Sequence, residues 1–321
     1  MGSSLSLTAG QRATISPQAA EFISKLRHPP FADSLAPFLV SPSRIPSIRA
    51  NLKEKMLPGE ENLITKYSLQ IAEILISNVT VITISPPKAK PEHQDKILLN
   101  ICGGAFVMGS ARDRTALLMA AEMGIRVYSI EYSKSPESRY PVARDECLSV
   151  YRQLVKEHDA NNILCMSSSA GSQLMLSMLI LAHEEGLPMP KGQLLCTPAT
   201  DLTGDGDSMV ANAGRDLMPI SFLMEMVKQN YAPKGDFDAK DPLYSPIFAE
   251  YGPWFPPSVV TVGTRDCMLS SGVRLYWKLR ESGCRVQLLV EEGMWHGFNW
   301  EEGIPEADRM RAAVRQFLEE V

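Results

Sequence analysis

Three residue types that together can activate a hydroxyl group occur in the order Ser169, Asp266 and His296. Their separations are 97 residues (266 − 169) and 30 residues (296 − 266). A serine becomes a nucleophile when a histidine takes its proton, and an acid that fixes the histidine tautomer completes such a set. The three residues therefore predict nucleophilic attack on a carbonyl carbon.

The serine lies in a sequence context that favours this chemistry. Ser167-Ser168-Ser169-Ala170-Gly171 follows the apolar run 163–166 and precedes a helical pattern. A strand, a tight turn of small residues and a helix expose the central serine hydroxyl above a sheet. Ser-rich turns also cap helices, so this run alone leaves both interpretations open.

Backbone donors for a developing oxyanion are predicted nearby. The apolar run 97–101 is followed by Gly103, Gly104 and Ala105. Small residues at these positions let backbone N–H groups face a ligand. The N–H after the nucleophile, that of Ala170, commonly joins such donors. A Gly-Gly pair by itself also fits an ordinary turn.

His296 is the best candidate for the base among five histidines. The other four lie in proline-rich, polar or helix-end segments: His28, His93, His158 and His183. His296 and Asp266 each follow a late predicted strand, so both should reach the carboxyl edge of the sheet, where open α/β folds bind ligands. Either residue alone also fits a loop histidine or a helix-capping aspartate.

Strand and helix patterns alternate from about residue 67 onward. Strands are predicted at 77–85, 97–101, 126–132, 162–166, 193–196, 259–263 and 286–290. Helices are predicted at 115–123, 144–158, 170–185, 220–231, 271–282 and 305–320. This alternation predicts an α/β fold with a mostly parallel central sheet and helices on both faces.

Two segments are expected to cover the sheet. Residues 1–60 form a predicted N-terminal cap or lid, whose dense prolines we expect to prevent long helices. Residues 61–321 form the main domain, and the stretch 203–251 interrupts its rhythm as a predicted cap insertion.

Composition excludes several classes of function. The 321 residues carry a net charge of −5, without the clustered Lys and Arg that nucleic-acid binding needs. The longest apolar run, 174–182, is too short to span a bilayer. We therefore expect a small-molecule substrate as the partner, with a homodimer possible through the edge near 286–290.

Cysteine usage predicts a reducing, cytoplasmic location. The six cysteines form no C-x-x-C pair and lie in apolar runs, so they are expected to be buried free thiols rather than disulfides or metal ligands. No metal and no organic cofactor is expected. The start, Met1-Gly2-Ser3-Ser4-Leu5-Ser6, fits an N-myristoylation pattern, and a frayed polar terminus is the alternative.

These motifs resemble the hormone-sensitive-lipase-like branch of the α/β-hydrolase fold, from about residue 60 to the end. The resemblance rests on C-G-G-A-F at 102–106, E-Y-S-K-S-P-E-S-R-Y-P at 131–141, S-S-S-A-G at 167–171, T-P-A-T-D-L-T at 197–203, D-P-L-Y-S-P at 241–246 and E-G-M-W-H-G-F at 292–298. The order serine, aspartate, histidine is that of these hydrolases. Within the family the chain is most similar to members that hydrolyse monoterpene lactones or the acetate of versiconal hemiacetal.

The resemblance implies Ser169 as nucleophile, His296 as base and Asp266 as its orienting acid. It implies oxyanion donors at Gly104, Ala105 and Ala170, with Gly103 as a further candidate. Cys102 and Ala105 replace the family's first histidine and third glycine, and Ser167-Ser168 replaces its Gly-Asp. Cys102 is a minor alternative nucleophile, since no local base is evident.

The leading hypothesis is a serine hydrolase that cleaves a small-to-medium apolar ester or lactone through an acyl-enzyme. The replacements of family residues at Cys102, Ala105 and Ser167-Ser168 favour a specialised substrate of the secondary-metabolite type. The residues expected in the pocket are Phe106, Ser168, Met218, Phe222, Met226 and Phe298, although a methionine stripe also fits plain core packing. Two alternatives remain: a cyclase, dehydratase or transacylase on the same fold, and a silent ligand-binding protein.

Overall fold

A computed structural model describes residues 5–27 and 35–321 and shows one eight-stranded sheet in that part of the chain. Its strands are β1 (Gln70–Ile76), β2 (Val79–Ser85), β3 (Ile97–Ile101), β4 (Arg126–Ile130), β5 (Ile163–Ser168), β6 (Gly192–Cys196), β7 (Ser258–Gly263) and β8 (Val286–Glu291). Their order across the sheet is β1-β2-β4-β3-β5-β6-β7-β8. β2 pairs antiparallel with β1 and β4, and all other pairs are parallel. The predicted α/β fold is confirmed.

Helices lie on both faces of this sheet. They are α1 (Ala9–Ala13), α2 (Pro17–Lys25), α3 (Ala36–Leu39), α4 (Ile45–Lys66), α5 (Arg114–Met123), α6 (Val142–Glu157), α7 (Ala170–Glu184), α8 (Asp207–Ala211), α9 (Ile220–Met226), α10 (Leu269–Glu281) and α11 (Pro305–Glu320). Neighbouring residues Leu98 and Leu99 of β3 enter different cores, as the two-residue period of a strand requires. One core packs against α6, α7 and α10, the other against α5 and α11.

The first strand was not predicted from the sequence. β1 is mostly exposed, with Glu73 and Leu75 facing solvent, so it lacks a clear apolar alternation. Its place is set by a two-residue turn at Ser77 and Asn78, with φ of 51° and 64°. Two such residues match the type I′ turn that joins tightly paired antiparallel strands.

The N-terminal segment contains a long helix, contrary to the expectation drawn from its prolines. α4 runs for 22 residues and crosses residue 60, where the sequence-based division had been placed. Pro46 occupies the first turn, where its missing N–H removes no helical hydrogen bond. Pro58 lies inside the helix, so the prediction was wrong for this element. The division into a cap and a main domain stays a prediction.

The insertion 203–251 leaves the sheet after β6 and returns before β7, carrying α8 and α9. A π-helical turn, Val227–Tyr231, continues α9.

Within the described residues no helix is both long and apolar enough to cross a bilayer. Gly2, the acceptor in the N-myristoylation pattern, and His28 lie outside those residues.

Candidate active site

Ser169 sits on a strained turn between β5 and α7. Its backbone has φ 50° and ψ −122°, a region that side chains other than glycine rarely enter. The turn is held by the Ser169 N–H, which donates to the Cys196 carbonyl at 2.9 Å. A Cβ on Gly171 would come within 2.1 Å of the Ile101 carbonyl oxygen, so only glycine allows α7 to start this close to β3.

The structure brings the predicted serine, histidine and aspartate together at the carboxyl edge of the sheet. Ser169 Oγ lies 2.9 Å from His296 Nε2, and His296 Nδ1 lies 2.9 Å from Asp266 Oδ1. All three residues are buried. They come from the loops after β5, β7 and β8, which parallel strands bring to one edge. This geometry allows the serine proton to pass to the imidazole during an attack on a carbonyl.

The electrostatic setting favours a charged histidine at the moment when it accepts that proton. Burial alone lowers the pKa of His296, but the Asp266 carboxylate and its hydrogen bond, together with Asp216, leave the pKa raised above its ordinary value. Asp266 Oδ1 also accepts the Met268 N–H at 2.8 Å, which fixes the carboxylate. Asp266 Oδ2 is buried without a hydrogen-bond partner among the described residues.

Three backbone N–H groups beside Ser169 have no acceptor among the described residues: those of Gly104, Ala105 and Ala170. The loop after β3 presents them through left-handed backbone, with φ of 120° at Gly104 and 51° at Ala105. The Gly103 N–H is instead used within the protein, since it donates to Ser168 Oγ at 3.0 Å. Of the four predicted donors, the Gly103 N–H is therefore already used by Ser168, and the other three N–H groups have no acceptor among the described residues.

A cavity of about 370 Å³ opens onto Ser169 and His296. Its wall includes one face of α4, which contributes Arg49, Leu52, Lys53, Met56 and Glu60. The rest of the wall consists of Gly103, Gly104, Ala105, Met108, Gly109, Ser110, Asp113, Arg114, Glu131, Lys134, Ser168, Met218, Leu223 and Trp300. Arg49 fastens α4 over the loops, because its guanidinium donates to the Val107 and Ser135 carbonyls at 2.8 Å.

Two of the six predicted pocket residues, Ser168 and Met218, lie on this wall. The other four do not line this cavity and pack in or against the hydrophobic cores. Phe106 is buried against Tyr231, with ring centroids 3.5 Å apart, and Phe298 packs in the cluster around Trp295. Met226 belongs to the largest cluster, and the partly buried Phe222 packs against it. A substrate contact of these four residues stays a prediction, because hydrophobic spacing does not distinguish a cavity wall from a core.

Sequence analysis missed two polar residues that contact His296. The Thr197 Oγ1 lies 2.6 Å from His296 Nδ1, so the single Nδ1–H faces both this hydroxyl and Asp266. Thr197 has φ 45°, a strained conformation for a β-branched residue. Asp216, in the insertion, accepts the His296 backbone N–H at 2.9 Å. Thr197 is the first residue of the motif at 197–203, which could have drawn attention to it. Nothing in the sequence around Asp216, beyond its acidic side chain, pointed to this contact.

The environment of Cys102 does not favour a role as nucleophile. Its side chain is fully buried, and burial raises the pKa of the thiol to about 12. A thiol attacks as the thiolate, which such a pKa suppresses near neutral pH. The other five cysteines are likewise buried and free.

Comparisons with known proteins identify the family of this chain. The sequence profile of the α/β-hydrolase fold family matches residues 98–299. An esterase of Acinetobacter venetianus is 29% identical over 227 residues, which cover 69% of this chain and 74% of that protein.

Solved structures are similar over most of the chain. The crystal structure of the esterase E25 has a TM-score of 0.90 and 31% identity, and the match covers 98% of this chain and 97% of that one. An esterase from the bacterial hormone-sensitive lipase family has a TM-score of 0.73 and 26% identity over 78% of this chain and 84% of that one. The chain therefore belongs to the α/β-hydrolase fold family, in its hormone-sensitive-lipase-like branch, and is a carboxylic ester hydrolase.

Proposed function

We propose that Ser169, His296 and Asp266 form the catalytic triad of an esterase that acts through an acyl-enzyme. The observation that carries this proposal is the continuous chain of contacts, 2.9 Å from Ser169 Oγ to His296 Nε2 and 2.9 Å from His296 Nδ1 to Asp266 Oδ1. It opens onto a cavity large enough for a small ester.

In the first half of the reaction, Ser169 Oγ attacks the ester carbonyl carbon as its proton passes to His296 Nε2. The imidazolium is stabilised by Asp266, which also holds Nδ1–H in place. His296 then gives the proton to the leaving alcohol oxygen as the carbon–oxygen bond breaks. In the second half, His296 takes a proton from water, the hydroxide adds to the acyl carbon, and the acid leaves as Ser169 regains its proton.

The negative charge on the tetrahedral oxygen is taken up by backbone donors. The N–H groups of Gly104, Ala105 and Ala170 suit this role, because the backbone fixes them in place. They donate to no other acceptor among the described residues. One such donor is worth about 2.7–4 kcal/mol of transition-state stabilisation in a comparable site.

We further propose a small-to-medium apolar substrate of a specialised kind. Leu52, Met56, Met108, Met218 and Leu223 give the cavity apolar side chains. Ring esters fit the same chemistry, because opening a lactone is attack on the same type of carbonyl with the leaving oxygen still attached. The replacements at Cys102 and Ala105 in the loop after β3 support a narrow substrate range of the secondary-metabolite type over broad esterase activity.

The test is hydrolysis of p-nitrophenyl acetate, butyrate and octanoate, and of a medium-ring lactone, by the wild type and by Ser169→Ala. We expect turnover to fall to the background left by the oxyanion donors, a loss of roughly 10³-fold or more. Cys102→Ala serves as the matched control and is expected to retain labelling of Ser169 by a fluorophosphonate. Activity that survives in Ser169→Ala would overturn the assignment.

A further inference from the structure

A second buried carboxylate, Asp216, lies beside the triad without belonging to it. It comes from the insertion between β6 and β7, in the segment that joins α8 to α9, and it is 0% exposed. Its Oδ1 accepts the His296 N–H at 2.9 Å and the Leu217 N–H at 2.6 Å. Its Oδ2 accepts the Cys267 N–H at 2.7 Å. One side chain of the insertion thus holds the main chain of both loops that carry the base and its acid.

Asp216 also acts on the charge of the triad. Polar atoms of Asp216, Asp266, Cys267 and His296 lie within 4.8 Å of one another. The Asp216 carboxylate is among the causes that raise the pKa of His296. Burial and the neighbouring Asp266 raise the pKa of Asp216 itself, whereas His296 and the N–H donors lower it. Its charge is therefore most favourable when His296 is an imidazolium.

The other charged and titratable neighbours of Asp216 come from the loop after β7 and from the insertion. Arg265 is buried, and its Nε donates to the Arg215 carbonyl at 2.9 Å. Burial and Arg215 lower the pKa of Arg265, while Asp216 acts in the opposite direction. The pKa of Cys267 is raised by burial and by both carboxylates, so it stays a neutral thiol.

The same four side chains have a spacing that a metal ion can bridge, but their hydrogen bonds favour a different role. Both oxygens of Asp216 already accept backbone N–H groups, and Nδ1 of His296 faces Asp266. A cation at the centre would lie against these N–H dipoles. The arrangement is therefore better suited to holding the loops and balancing the imidazolium.

We propose that Asp216 is a positioning residue of the triad, which fixes the loops of His296 and Asp266 from the cap insertion and stabilises the imidazolium with its negative charge. This inference rests on the proposed function, in which that imidazolium forms during the reaction. It couples the segment that covers the sheet edge to the groups that move the proton.

The experiment measures kcat and KM for p-nitrophenyl butyrate against pH in the wild type and in Asp216→Asn. Asparagine keeps the size and one acceptor oxygen but removes the charge. Since the Asp216 charge raises the pKa of His296, its removal should shift the acid limb of kcat to lower pH. We also expect kcat to fall roughly tenfold at the pH optimum with KM changed far less, as for an interaction that matters mainly in the transition state.

Asp207→Asn is the matched control, because Asp207 is an exposed aspartate of the same insertion. It should leave kcat and the acid limb unchanged. Asp216→Glu keeps the charge but displaces the oxygens from the N–H groups, so kcat should fall while the acid limb stays near its wild-type position. If Asp216→Asn does not fold, this glutamate variant carries the test.

An Asp216→Asn enzyme with the wild-type melting temperature, kcat and acid limb would overturn the inference, and so would a glutamate variant with unchanged kcat. Ser169→Ala is measured in parallel. Activity in that variant means that the proposed function has failed. An inactive Ser169→Ala beside an unaffected Asp216→Asn means that only the role of Asp216 has failed.

Discussion

At the scale of single residues, strained backbone surrounds the proposed reacting groups. Ser169, Ala105 and Thr197 all have φ near 50°, where a side chain is disfavoured by sterics. Each of them lies next to His296 or among the free N–H groups described above. Such strain costs on the order of 1–3 kcal/mol per residue and persists only where packing holds it, as it commonly does at functional sites.

Gly104 offers a direct test of this point. Its φ is 120°, and a Cβ there would come within 2.4 Å of the Met108 carbonyl oxygen. Gly104→Ala should therefore displace the loop that presents the proposed oxyanion donors and lower kcat about 10²-fold or more, the scale of losing one donor. Gly186→Ala is the control, because Gly186 also has positive φ but faces open space. Steady-state kinetics decide the matter, and equal losses in both variants would contradict it.

The raised pKa of His296 sets the pH dependence of the free enzyme. In the proposed mechanism the neutral imidazole of His296 is the base, so activity should be lost as the pH falls through the pKa of His296. Because Asp266 and Asp216 raise that pKa from its ordinary value of 6.5, the acid limb of kcat/KM should be centred above 6.5. A profile of kcat/KM measured from about pH 5 to 9 checks this, and a limb centred below 6.5 would count against it.

At the scale of elements, α4 is a wall of the cavity as well as a cover. Its cavity-facing residues follow a spacing of three or four, so one stripe of the helix lines the cavity that we propose binds the substrate. Arg49 ties this helix to the loops after β3 and β4. Side chains on that stripe should therefore set the length of acyl chain that the site accepts.

Met56→Trp should narrow the cavity and select against long acyl chains. The added volume should enter the cavity that Met56 lines, so the ratio of octanoate to acetate turnover should fall about tenfold, within the range that pocket shape can supply. Leu57→Trp is the matched control, because Leu57 is 39% exposed and does not line the cavity. Kinetics with the p-nitrophenyl ester series measure both ratios, and parallel changes in the two variants would refute the role of the stripe.

At the scale of the whole molecule, a buried arginine joins the last helix to the loop that carries His296. Arg311 of α11 is 3% exposed. It donates to the Glu122 carboxylate at 2.9 Å and to the Asn299 and Glu301 carbonyls at 2.8 and 2.9 Å. These contacts fix the chain just after His296 against α5.

Arg311→Met should lower the free energy of unfolding by about 2–5 kcal/mol, because it leaves the buried Asn299 and Glu301 carbonyls without a donor and removes one of the two arginines that contact Glu122. Arg315→Met is the comparison, since Arg315 contacts the same carboxylate from a more exposed position and should cost well under half as much. Urea denaturation of both variants gives the two values. A loss for Arg311→Met no larger than that for Arg315→Met would contradict the expectation.

How far the sequence predicts this protein depends on whether the signal is local. The meeting of Ser169, Asp266 and His296 could be predicted because each follows a predicted strand, and parallel strands end at one edge. The placement of Asp216 and of the cavity face of α4 could not be predicted, because it depends on how the segments outside the sheet pack against it. β1 was missed since an exposed edge strand carries little apolar alternation. For Phe106 and Phe298 the aromatic residue type predicts that the side chain is buried. It does not predict whether the side chain packs in a core or lines the cavity.

The cavity stripe on α4 lies outside the region that the family profile matches, residues 98–299, whereas the serine, aspartate and histidine lie inside it. The proposed reacting groups therefore lie in the part of the chain that the family profile describes, and the helix that we propose selects the acyl chain lies outside it. Exchange of residues 45–66 between two enzymes of this family should then transfer the preference for acyl-chain length without changing the reaction, which makes this helix the natural unit for recombination.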